Sequence, residues 1–126
     1  MCIRDSIQDA MFASTNEVMG TSYRSRINDP KYQFAGKTGT AQVKKITERD
    51  RELDLKTFEI PYEERDHALY IAFGPYKNPR YALSVFVEHG GNGRTTAAPM
   101  AKMLFKSIFD RHELRVSINN KRYMDI

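Results

Sequence analysis

Cysteine is almost missing from this chain. The single residue, Cys2, has no partner for an internal disulfide, so cysteine usage says nothing about compartment. Long apolar runs are missing too, and no 18-residue stretch could cross a bilayer as a helix. The opening "MCIRDSI" has no signal-peptide core. There are no internal repeats and no low-complexity tracts. Charge is not one-sided: 20 Lys+Arg face 16 Asp+Glu, a net +4. The basic residues are scattered among acids, so no stripe for nucleic acid stands out. His67, His89 and His112 lack ligand spacing, which points to structural or hydrogen-bonding roles and to no metal.

What is present suits one small domain: 126 residues, 40% hydrophobic and 29% charged. "SIQDAMFASTNEVMG" predicts a helix, with Ile7, Met11, Thr15 and Val18 as its stripe. Ser6 with Asp9 resembles a weak capping box, and Gly20 suits the stop. "RINDPKY" predicts a turn and "YQFAGKTGTAQV" a strand. Composition then shifts. Residues 44–66 hold 6 Lys/Arg and 8 Asp/Glu among 23 positions, a solvated excursion with room for one helical turn. A loop this long is unusual inside a compact domain and often carries a contact or lid role.

"HALYIAFGPY" predicts a strand buried on both faces, followed by a turn at Asn78-Pro79. "RYALSVFVEH" predicts the next strand, with Tyr81, Leu83, Val85 and Val87 on one apolar face and Ala82, Ser84 and Phe86 on the other. That pattern suggests a layer on each side. After "GGNG", Thr95 or Thr96 is expected to cap a helix to about Arg111. Met100, Leu104 and Ile108 make one row, Ala97, Ala101, Phe105 and Phe109 another, and Met100/Met103 are read as core-facing. The tail, 112–126, reads as a short strand or as disordered. Three strands joined without crossover helices imply an α+β fold: an antiparallel sheet flanked by helices.

The chemistry is concentrated in Lys37-Thr38-Gly39-Thr40. Strand alternation puts Lys37 and Gly39 on one face and Thr38 and Thr40 on the other. An ammonium beside two hydroxyls suits a carboxylate or phosphate. Gly39 leaves room for a close substrate backbone, and an open edge could pair with an extended peptide. On spacing alone, a plain edge strand guarded by a lysine accounts for these residues more simply.

The triad resembles the third motif of the serine penicillin-recognising enzymes. "AGKTGTAQV", "FGPYKNPRYALSVFVEHGG" and the Thr/Ala-Pro helix together resemble the end of a class B penicillin-binding protein of the elongation type. The resemblance covers about residues 7–111. It implies a penicillin-binding-protein/serine β-lactamase-like transpeptidase fold, here incomplete, in a serine-type D,D-transpeptidase. Lys37 would sit beside the nucleophile. Thr38 and Thr40 would bind the terminal carboxylate of a stem peptide or of a β-lactam, and the Thr40 N–H would be one oxyanion donor. It implies no cofactor. The implied partners are peptidoglycan stem peptides, β-lactams and elongation-complex membrane proteins, with no nucleic acid. The implied location is the periplasmic side of the bacterial inner membrane.

The departures are equally plain. No serine is followed three residues on by lysine, so the family's nucleophile motif is missing. Ser14-Thr15-Asn16 has the letters of its second motif in the wrong place, and we set it aside. The chain is therefore expected to be an inactive C-terminal fragment. "MCIRDS" resembles translated adaptor sequence, so the expected division is 1–6 a non-native leader, 7–111 the C-terminal part of the transpeptidase domain and 112–126 a tail. The alternatives are a non-catalytic peptide-binding module using an open sheet edge, or part of a division transpeptidase or a serine β-lactamase.

Overall fold

The computed structural model describes residues 2–45 and 47–124. The elements run α1 (Ile3–Asn16), β1 (Ala35–Ala41), α2 (Glu48–Leu53), β2 (His67–Gly74), β3 (Tyr81–Val87) and α3 (Ala98–Met124). The strands form one antiparallel sheet in the order β1-β2-β3, so the expected α+β arrangement is present. The peptide bond Gly74–Pro75 is cis. Among the described residues, no helix is long and apolar enough to cross a membrane.

Register sorts the side chains. Thr38, Tyr70 and Val85 align across the sheet, as do Lys37, Ile71 and Ser84. The first set belongs to the core face. There Ala68, Tyr70 and Ala72 meet Ala97, Ala98, Ala101, Phe105 and Phe109 from α3 and the turn before it, all of them buried. Alanines at the crossing let the helix approach closely, and the aromatic rings fill the wider end. Phe34 stacks on Phe105 with centroids 4.8 Å apart. Tyr81, Leu83, Val85 and Val87 of β3 pack against this cluster.

The opposite face is not covered as expected. Ile71 is 52% and Phe86 58% exposed. β2 is thus buried on one face only, and no described layer lies over the far side of β3. At the Ala35/Phe73 end that face gains company from Tyr76, whose ring lies 4.4 Å from that of Phe12 of α1, and at the other end the His67 ring lies 5.2 Å from that of Phe86.

Both long helices depart from their sequence patterns. α1 begins at Ile3 and is capped by Cys2 without a side-chain bond, so Ser6 is not its cap. It ends at Asn16 rather than at Gly20. Gly20 is needed for a different reason: a Cβ there would lie 2.3 Å from the Ser14 carbonyl oxygen. Of the predicted stripe, Thr15 is buried while Ile7 and Val18 are exposed. In α3 the buried row is Ala97, Ala101, Phe105 and Phe109. Met100, Met103 and Leu104 are exposed, so the methionines are not core. The helix is capped by Asn92, whose side chain accepts from the Arg94 N–H, and not by a threonine. A wide π-type turn, Gly93–Ala97, leads into it, and it continues through the expected tail to Met124. The charged excursion holds α2 and two single 3-10 turns.

Candidate active site: the open edge of β1

β1 is an edge strand, hydrogen-bonded only to β2. Which of its backbone groups face outward follows from Gly36. Its N–H donates to Thr15 Oγ1 at 3.0 Å, and its carbonyl lies 3.2 Å from the same oxygen. Gly36 therefore points away from β2. In an antiparallel ladder a residue's N–H and C=O point the same way and alternate along the strand. With an unbroken register from Ala35 to Ala41, Thr38 and Thr40 also turn their backbone groups to the outer edge. α1 fills the first part of that edge: Thr15 serves Gly36, and Asn16 Nδ2 donates to the Phe34 carbonyl at 2.9 Å. Beyond Gly36 the edge is open.

The four sequence-selected residues sit at this opening. Lys37 is exposed, and its Nζ donates to the Thr38 carbonyl at 2.9 Å. Thr40 is exposed and Thr38 half-buried, and neither hydroxyl has a hydrogen-bond partner among the described residues. Lys37 and Gly39 share the open sheet face, while Thr38 and Thr40 share the other, as alternation predicts. Gly39 is crowded from a second direction. A Cβ on Gly93 would come within 2.7 Å of the Gly39 carbonyl oxygen and 2.6 Å of that of Leu69. The turn before α3 therefore lies directly on the β1–β2 backbone.

Behind the strand is a buried hydroxyl cluster that motif reading passed over. Tyr70 Oη lies 2.9 Å from Thr15 Oγ1 and 3.0 Å from Ser22 Oγ. Ser22 Oγ also donates to the Ser14 carbonyl at 3.1 Å. Burial pushes the Tyr70 phenol above its ordinary pKa, opposed by its bonds to Ser22 and Thr15. The signal for Thr15 was available: a polar residue stood on an otherwise apolar stripe. Within Ser14-Thr15-Asn16, Thr15 and Asn16 clamp the start of β1.

At the far end of β1 the charged excursion folds back. The Val43 N–H donates to Asp66 Oδ1 at 3.2 Å, and Lys44 pairs with Glu64 at 3.0 Å. Lys44, Glu64 and Asp66 line a cleft of about 430 Å³ with Lys45, Arg65 and Gly91. Beside it, His67 Nδ1 accepts from the His89 N–H at 2.9 Å, and His89 Nδ1 donates to the Arg65 carbonyl at 3.0 Å. Both rings are used structurally. Among the described residues no group of His, Cys, Asp and Glu is placed to hold a metal.

The sequence matches the penicillin binding protein transpeptidase domain over residues 3–110. The chain belongs to that family. Peptidoglycan D,D-transpeptidase MrdA of Salmonella typhimurium is 38% identical over 104 residues, which are 82% of this chain and 16% of that protein. MrdA of Haemophilus influenzae is 35% identical over 98 residues. Among solved structures, PBP2 of Helicobacter pylori in complex with MreC superposes with a TM-score of 0.65 at 30% identity, covering 84% of this chain and 17% of that one. Pseudomonas aeruginosa PBP2 in complex with WCK 5153 gives 0.61 at 31%, covering 82% and 19%. The chain therefore spans about a sixth of the length of these penicillin-binding relatives.

Proposed function

We propose that this chain supplies the Lys37-Thr38-Gly39-Thr40 wall of a serine-type D,D-transpeptidase site that cross-links peptidoglycan during elongation. The observation that carries the reading is the open half of the β1 edge, where the backbone groups of Thr38 and Thr40 face outward beside two unpartnered hydroxyls and an exposed ammonium. An extended donor peptide would pair along this edge. The hydroxyls of Thr38 and Thr40 would hold its terminal carboxylate, or that of a β-lactam. The Thr40 N–H would serve the oxyanion, and Lys37 would share the proton of a serine nucleophile. That serine would attack the penultimate D-alanine carbonyl, expel the terminal D-alanine and pass the acyl group to an amine of a second stem peptide. No Ser-x-x-Lys occurs in these 126 residues, so the serine must come from other sequence. The similarity to MrdA and PBP2 supports work on the periplasmic face of the inner membrane, beside elongation-complex membrane proteins.

The test uses a full-length protein carrying this sequence and a fluorescent penicillin. Thr40→Ala should slow labelling by about 10- to 100-fold, the worth of a hydrogen bond to a charged group. Lys37→Ala should slow it by about 100-fold or more, as loss of a proton-transfer partner does. Labelling at the unaltered rate in both variants would sink the proposal. Peptide binding without any acylation would make the chain a binding module instead. The 126-residue chain alone should take no covalent label.

A further inference from the structure

A second cleft, of about 950 Å³, lies at the other end of the strands, beyond the β2–β3 turn. Three elements wall it: the turn carrying Lys31 and Tyr32, the β2–β3 turn from Pro75 to Arg80, and α3 from Phe109 to Lys121. Register puts it away from the proposed acyl-transfer site, because Thr40 pairs with Ala68 near the opposite end of β2.

Its charge is lopsided. Lys31 is neutralised by a salt bridge to Glu113. Lys77, Arg80 and Lys121 have no ion pair among the described residues. Arg80 is nevertheless held in place. Its Nη1 lies 2.7 Å from His112 Nε2, and Tyr81 Oη lies 3.1 Å from His112 Nδ1. A guanidinium only donates, so Nε2 accepts and the ring proton sits on Nδ1, facing Tyr81. His112 thus acts as a strut for Arg80. The floor is aromatic: Tyr32 stacks on Phe109 at 5.1 Å, with Tyr81 6.4 Å from the same ring. The hydroxyl of Tyr32 is a buried oxygen without a hydrogen-bond partner, and buried polar atoms are rarely left so.

We infer that this cleft binds a phosphate-bearing ligand, with the anion on Lys77, Arg80 and Lys121 and the remainder over the Tyr32–Phe109 floor. Three unpaired cations exceed what one carboxylate neutralises, whereas a phosphomonoester carries about −1.5 to −2 near neutral pH. The phosphate could be free or displayed on a lipid headgroup.

The probe is inorganic diphosphate, titrated calorimetrically into a full-length protein carrying this sequence, with acetate as the comparison. Saturable binding should be about tenfold tighter for diphosphate and should weaken with salt. Arg80→Gln combined with Lys121→Gln should reduce affinity by about tenfold or more. Lys106→Gln, on α3 but outside the cleft, should change nothing, and circular dichroism should show both variants folded. Cosedimentation with phosphatidic acid but not phosphatidylcholine vesicles assigns the phosphate to a headgroup; diphosphate binding without cosedimentation assigns it to a free compound. No saturable diphosphate binding, binding no tighter than acetate, or an unchanged affinity in the double variant overturns the inference.

Discussion

One hydroxyl does much of the positioning. Thr15 Oγ1 accepts from the Gly36 N–H and stands within hydrogen-bond distance of the Gly36 carbonyl and of Tyr70. Thr15→Val keeps the shape and deletes the polar atom, leaving a buried N–H without a partner. Stability should fall by about 1–3 kcal/mol in urea titrations. A larger loss is expected in donor-peptide or penicillin affinity of the full-length protein, because the strand itself is released. Tyr70 gives a pH signature. Its folded pKa is raised by burial, so the folded state favours the protonated phenol. That contribution is complete below the ordinary value of 10.0 and is lost as pH rises through the raised one. Urea stability should therefore drop steeply at alkaline pH, and the drop should be shallower in Tyr70→Phe, whatever that variant's stability at neutral pH. The sequence singled out Lys37, Thr38, Gly39 and Thr40 as candidates because their chemistry is local to one strand. It hid Thr15, Ser22 and Tyr70 as a group, since 55 positions separate Thr15 from Tyr70 and only folding brings them together.

Among the elements, the strands were readable and the helix faces were not. Period-two alternation names the faces of β1 and β3 without reference to anything distant. Which row of α3 turns inward depends on what it meets. The alanine row wins over the methionine row because Ala97, Ala98 and Ala101 must pass close to Ala68 and Tyr70 of β2. The wide turn at Gly93–Ala97 was likewise invisible, since it re-aims the helix start by contacts with the sheet rather than by local propensity. It yields a direct prediction. Gly93→Ala places a methyl group 2.6–2.7 Å from two backbone oxygens, neither of which can swing away. A cost of about 1–3 kcal/mol is expected from such overpacking. It presses on both β1 and β2, at Gly39 and Leu69, so amide exchange should rise at Thr38–Thr40 and around Leu69 more than in α1. Protection lost uniformly across the chain would contradict that coupling.

At the scale of the molecule, the sheet has a finished side and an unfinished one. Ile71 and Phe86 stand open on the second, with Leu69, Phe73 and Ala82 beside them. Contiguous apolar surface of this kind drives association. The 126-residue chain should self-associate in a concentration-dependent way in sedimentation velocity, and Ile71→Thr with Phe86→Thr should suppress it. A monomer at every concentration in the unaltered chain would show that the face is adequately solvated. The two-faced apolar pattern of β3 was read from the sequence as covered on both sides. The composition does fit that state, while the described elements cover only one side.

The alternation along β1 also works as a ruler. Outward-facing backbone groups recur at every second residue, so a chain lying on this edge can move only in dipeptide steps of roughly 6.8 Å. One step back, at Gly36, the seat is already taken by Thr15. One step beyond Thr40, the strand has ended at Ala41. The donor peptide proposed above would therefore have a single berth, its last residue placed before any chemistry begins. Selection for a chain end over a chain middle would then come from backbone geometry, with the threonine hydroxyls reading only what has already been aligned.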